Sequence, residues 1–186
     1  MATLVLTVIG KDRAGLVDAL AEPIAAHGGS WDRSHMARLA GEFAGIVVVS
    51  VPDERAHELT VELGMLSERG LLEVTVAIAS ADAPASPDTL LELHLVGQDR
   101  PGIIRDVASA LARRDVSIEE LETSAASAPM SGELLFEASA TLRVPAGTDP
   151  DDLRSALEDI ANELMVDLDV TERHVEPGTP NGGDDD

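Results

Sequence analysis

One stretch constrains this chain more than any other because the chain uses it twice. Leu6-Thr7-Val8-Ile9-Gly10-Lys11-Asp12-Arg13-Ala14-Gly15-Leu16-Val17 returns as Leu93-His94-Leu95-Val96-Gly97-Gln98-Asp99-Arg100-Pro101-Gly102-Ile103-Ile104. Each copy is an apolar, strand-forming run that enters Gly-x-Asp-Arg-x-Gly and leaves it with helical apolar spacing. A helix that starts in this way has first-turn amides with no acceptor inside the helix. Such amides are a natural seat for a small anion.

The pattern around the two copies predicts the rest. Leu4 to Ile9 reads as a strand stopped by Gly10, and Ala14 to His27 as a helix with Val17, Leu20 and Ile24 on its apolar face. Gly28-Gly29 closes that helix, and Pro23 inside it predicts a kink or a lost hydrogen bond. Ser30 to Leu39 and Phe43 to Val51 are strands about a turn at Ala40-Gly41-Glu42. Leu59, Leu63 and Leu66 mark a helix over Arg55 to Arg69, and Leu72, Val74, Val76 and Ile78 alternate as a fourth strand. After Ser80 to Asp88, a linker by composition, the order repeats. Leu90 to Val96 is a strand, and Ile104, Val107 and Leu111 mark a helix. Ser117 to Ala128 and Glu133 to Val144 form a hairpin around Pro129-Met130-Ser131-Gly132. Leu153, Leu157, Ile160 and Leu164 mark a helix, and Val166, Leu168 and Val170 the last strand.

The spacing is that of a duplication. Gly10 to Gly97 and Gly15 to Gly102 are offset by 87, whereas Val51-Pro52 to Val144-Pro145 is offset by 93. The six extra residues belong most simply in the second hairpin, at a tip where insertions are tolerated. The expected organisation is one unit over 1–79, a linker over 80–88, a second unit over 89–175 and a disordered acidic tail over 176–186. The fold class is α+β, two ferredoxin-like βαββαβ units, each with a four-stranded antiparallel sheet under two helices. The sheet face away from the helices would be an exposed apolar patch unless covered, so pairing of the units and a homodimer are expected.

Composition narrows the function. Hydrophobic residues make up 44% of the chain and aromatics 2%, so the core is a large aliphatic one. Thirteen basic against 35 acidic residues give a net charge of −22, and no Lys/Arg cluster offers phosphates a seat. Direct nucleic-acid binding is therefore not expected, nor is binding to anionic membranes. With no cysteine there is neither a disulfide nor a thiolate nucleophile. No leader segment or membrane-length apolar run is evident, so a cytoplasmic location is expected. No Gly-x-Ser-x-Gly elbow or Walker loop is present, and the five histidines share no ligand spacing. No catalytic residue, metal or cofactor is expected. Trp31, the single tryptophan, reads as a packing residue.

A βαββαβ unit with Gly-x-Asp-Arg-x-Gly at its first strand-helix junction resembles an ACT domain. Two such units with nothing else resemble the glycine cleavage system transcriptional repressor family of tandem-ACT regulators, over about residues 3 to 172. The resemblance implies a non-catalytic regulator that senses a small metabolite, an amino acid above all, held where a first turn meets a neighbouring unit, and acts through a protein partner in transcriptional control of amino-acid or one-carbon metabolism. It implies ligand-binding residues at Gly10, Lys11, Asp12, Arg13, Ala14 and Gly15, and at Gly97, Gln98, Asp99, Arg100, Pro101 and Gly102. Many ACT sensors open the second strand with an Asn that holds the ligand; Ser30 and Ser117 stand at those positions here.

Each of these residues also has a structural reading. Gly15 and Gly102 would serve a tight turn as well as a ligand. Asp12 and Asp99 fit a helix N-terminus before a ligand ammonium. Arg13 and Arg100 would pair with a ligand carboxylate or phosphate, or with a surface carboxylate. A ligand-independent interaction module, or the regulatory subunit of a metabolic enzyme, is the competing functional reading. A formyl-folate hydrolase ranks last, since the second unit and a short tail stand where its catalytic domain would be.

Overall fold

The computed structural model describes residues 1–79, 89–127 and 134–172. Contacts divide the chain into two units, Met1–Ala83 and Pro84–Asp186. Unit 1 runs β1 Ala2–Lys11, α1 Leu16–Ala26, β2 Ser30–Leu39, β3 Glu42–Val51, α2 Ala56–Glu68 and β4 Glu73–Ile78. Unit 2 runs β5 Thr89–Gln98, α3 Ile103–Ala112, β6 Ser117–Ser127, β7 Leu134–Val144, α4 Pro150–Leu164 and β8 Val166–Glu172. Their sheets have the orders β2-β3-β1-β4 and β6-β7-β5-β8, antiparallel throughout. The α+β class with two ferredoxin-like sheets is thus observed.

Register shows how closely the units match. Ser30 pairs with Ser50 and Ser117 with Arg143, while Lys11 pairs with Glu42 and Gln98 with Leu135. Each edge strand has its bulge at the corresponding place, between Trp31 and Arg33 and between Ile118 and Glu120. The offset of 87 therefore holds through β6 and changes to 93 at β7, which puts the extra residues at the hairpin tip. That tip, the linker 80–88 and the tail from 173 lie outside the described residues.

In each unit the helices cover one sheet face with an aliphatic core. In unit 1 Leu4, Leu6, Val8, Val47 and Val49 of the sheet meet Leu16, Leu20, Ile24, Leu59 and Leu63 of the helices, with Trp31 packed at the margin. Each such side chain contributes roughly 1.5–3 kcal/mol when fully buried. The stripe on α1 departs from expectation. Val17 is 48% exposed and Leu16 is buried in its stead. In α3, Ile103 likewise lies deeper than Ile104. The helix begins one residue after Gly15, so Leu16, Leu20 and Ile24 repeat at i, i+4 and i+8 on the core side, and Val17 lies about 100° round from them.

Pro23 is accommodated without ending the helix. It is buried, α1 continues to Ala26, and the Pro23 carbonyl accepts bonds from the His27 amide and from the His27 ring at Nδ1. Gly28, at φ 68°, closes α1, its amide bonding Ala25 and the Gly29 amide bonding Ile24. This is the double bond of a Schellman end.

Candidate functional site

Both copies of Gly-x-Asp-Arg-x-Gly sit at the junction of a central strand with a helix, but their residues divide by task. Gly10 and Gly97 do not end their strands, which continue to Lys11 and Gln98. Each is glycine because a neighbour crosses close by. A Cβ on Gly10 would stand 2.6 Å from the Leu71 carbonyl oxygen, and one on Gly97 would fall inside the Val166 side chain. These two are spacing residues between the central strand and the last strand.

Gly15 and Gly102 are glycine for a different reason. Each is the N-cap of its helix in the left-handed region, at φ 91° and 102°, which residues with a Cβ avoid at a cost of about 1–2 kcal/mol. No side chain caps either helix. Asp12 therefore does not serve as the helix cap. Its carboxylate pairs with Arg38 Nε on β2 at 2.5 Å, and its amide donates to the Gly41 carbonyl. In unit 2 the Asp99 amide makes the matching bond to Leu134, but Ala125 stands where Arg38 would be. Asp18 supplies the acidic group in the first turn of α1, where a carboxylate contributes roughly 0.3–1 kcal/mol.

Among the described residues each of the two arginines bonds a main-chain carbonyl. Arg13 donates through Nη2 to the Gly70 carbonyl at 2.7 Å, and Arg100 to the Glu163 carbonyl at 3.4 Å. Both acceptors lie at the C-terminal end of the unit's second helix, whose last carbonyls lack intrahelical donors. The motif's Arg thus ties one helix start to the other helix's end, a role that spacing alone gave no sign of. Lys11 pairs across the strands with Glu42.

The turns differ in access. Asp12, Arg13, Ala14 and Gly15 are exposed, and Asp12, Arg13, Gly15, Asp18 and Phe43 border a cleft of about 330 Å³. Nothing lies within 4 Å of the place a Gly15 Cβ would occupy. At Gly102 that place has Arg105 Nη2 at 3.2 Å and Asp106 Oδ2 at 3.7 Å. Arg105 and Asp106 are themselves ion-paired at 2.7 Å. Arg105 occupies the position that Asp18 holds in unit 1. Two equivalent open turns were expected; one is open and the other is overlaid by a side-chain pair.

Ser30 and Ser117 are exposed strand residues, but neither unit brings its serine to its own turn. Ser30 pairs with Ser50 and is level with Thr3, whereas the turn follows Lys11 at the opposite end of β1. Eight residues of strand separate those levels by about 26 Å. Ser117, paired with Arg143 and level with Leu90, has the same relation to Gly97–Gly102. Among the described residues no group of three or more His, Asp or Glu is placed to hold a metal ion. No described helix is long and apolar enough to cross a membrane.

The family model for the ACT domain matches this chain twice, over residues 2–77 and 89–171. Among solved structures, an unknown protein from Galdieria sulphuraria is 30% identical, with a TM-score of 0.82 over 92% of this chain and 98% of that one. A structure provisionally named as a glycine cleavage system transcriptional repressor is 19% identical, with a TM-score of 0.70 over 92% of this chain and 97% of that one. At that identity the second likeness speaks for the fold. No curated protein matches the chain.

Proposed function

Because this chain belongs to the ACT-domain family in two copies, we propose that it is a regulatory protein without chemistry of its own, which binds a small metabolite at the first turn. The observation that carries this reading is the open junction at Gly15: an uncapped helix start with free space over the glycine. A free amino acid fits its chemistry. The carboxylate would rest on the first amides of α1, and the ammonium would face Asp18. So small a ligand has few atoms, and even about 1.5 kcal/mol per atom is a ceiling few reach. Micromolar to millimolar affinity follows, suited to reading a metabolite pool.

A net charge of −22 opposes phosphate contact, so any effect on transcription passes through a protein partner. Amino-acid and one-carbon metabolism is the setting proposed for it. The second reading, a ligand-independent interaction module or enzyme regulatory subunit, draws support from the overlaid second turn and from serine standing at both positions where many ACT sensors carry Asn. Calorimetry of the intact chain with the common amino acids separates the two. Saturable heat with one of them supports the sensor, and silence across the set leaves the interaction module.

A further inference from the structure

The helix-bearing faces of the two sheets are alike, but the opposite faces are not. Because the registers coincide, every outer position of unit 1 has a counterpart 87 residues on in β5 and β6, 93 on in β7 and 94 on in β8. Along the centre of the unit 1 face run Val5, Thr7, Ile9, Ala44, Ile46 and Val48, all apolar but Thr7, with Ile46 52% and Ile9 45% exposed. Their counterparts in unit 2 are Glu92, His94, Val96, Glu137, Ser139 and Thr141. Toward the edges, Arg33, His35 and Thr75 are answered by Glu120, Glu122 and Asp169. One fold thus carries the same face once largely polar, with Thr141 itself buried at 8% exposure, and once largely apolar. The second copy is the internal control: nothing in the βαββαβ scaffold requires an apolar outer face.

We infer that the outer sheet face of unit 1 is the surface on which two copies of this chain meet, face to face about a two-fold axis. Three observations select a second copy as the occupant. Such a face is self-complementary in kind: β-branched and small side chains on sheets stack about 10 Å apart, and a two-fold contact uses one patch twice. Charge points the same way. Residues 1–79 hold six Lys/Arg against eleven Asp/Glu, and residues 89–172 hold six against eighteen. Two chains of net charge −22 repel least when unit 1 faces unit 1 and the acidic units stay apart. The rim there carries both signs, with Arg33 and His35 on one edge strand and Glu73 on the other.

Area sets the strength. Four strands about 4.8 Å apart and about eight residues long present roughly 500 Å² per copy. Two copies bury about 1,000 Å², the lower limit for a specific interface, so the dimer is reversible and dissociates on dilution. This inference rests on the fold and not on the ligand reading.

Sedimentation velocity of the intact chain over a hundredfold range of concentration tests it. The expected result is a monomer–dimer equilibrium whose dissociation constant rises roughly tenfold or more in Ile46→Glu. Ile46→Ser with Val48→Thr, which installs the residues unit 2 already carries at those positions, weakens the dimer in the same direction while keeping the sheet's own chemistry. Ser139→Glu, the matching change on the unit 2 face, leaves the dimer intact. A chain that stays monomeric throughout, a dimer indifferent to both unit 1 variants, or one lost with Ser139→Glu overturns the inference.

Discussion

The Arg13 guanidinium donates to the Gly70 carbonyl across 57 residues of sequence, at 2.7 Å. This single bond joins the turn before α1 to the end of α2, so the motif's Arg links the unit's two helices at the Gly15 junction. Arg13→Ala should lower stability by about 0.5–1.5 kcal/mol, the net worth of one such bond. Arg100→Ala should cost less, since its bond to Glu163 is 3.4 Å long. Urea denaturation of the two variants checks the order. Equal stability of Arg13→Ala and wild type would mean the bond is idle in solution.

The corrected stripe on α1 gives a sharp contrast. Leu20 is fully buried and Val17 is 48% exposed. Leu20→Ala should destabilise by about 2–5 kcal/mol, while Val17→Ala should stay within roughly 0.5 kcal/mol of wild type. Thermal melts separate two effects of such different size.

The helix ends supply a stabilising change. Gly28 closes α1 at φ 68°, and its counterpart Asp115 closes α3 at φ 56° with a side chain that this region disfavours. Asp115 is exposed, and its amide still makes the closing bond to Ala112. Asp115→Gly should raise stability by roughly 0.5–1 kcal/mol, the left-handed strain relieved less the extra freedom of the unfolded glycine. Equilibrium denaturation reads this directly, and a fall in stability would show that the Asp115 side chain contributes more than its strain costs.

Arg105 makes the two turns unequal, and that inequality is measurable. Its guanidinium lies over Gly102 while nothing lies over Gly15. Wild-type chain should bind one ligand per chain, and Arg105→Ala should raise the stoichiometry toward two with little change in stability, because the Arg105–Asp106 pair is an exposed one. Two equal sites in the wild type would show that the overlay yields to ligand.

Much of this architecture was legible in the sequence because its signals are periodic and doubled. Leu72-x-Val74-x-Val76 gives a strand, Leu59, Leu63 and Leu66 give a helix, and the change of offset from 87 to 93 locates the longer hairpin. The misreadings fall where long-range contact, not local pattern, decides. Gly10 read as a strand stop because glycine usually is one; only the crossing of Leu71 and Leu72 shows it as a spacer. Asp12 read as a helix cap because its partner, Arg38, lies 26 residues away. Ser30 is a candidate by family position alone, and strand register sets it at the far end of its own unit's sheet, where only a neighbouring unit's turn could meet it. The polar outer face of unit 2 was available in the alternation of β5 and β8, but it emerges only once each residue is set beside its counterpart in unit 1.

A sensor role for this chain requires that the Gly15 junction receive a small carboxylate-bearing ligand. Amide proton–nitrogen correlation spectra of the labelled intact chain, recorded during titration with individual amino acids, test this most directly. A sensor gives saturable movement of the Gly15 to Asp18 resonances for at least one amino acid, with those of Gly102 to Asp106 unmoved. Spectra that no amino acid perturbs, or perturbation confined to residues away from both junctions, would contradict it.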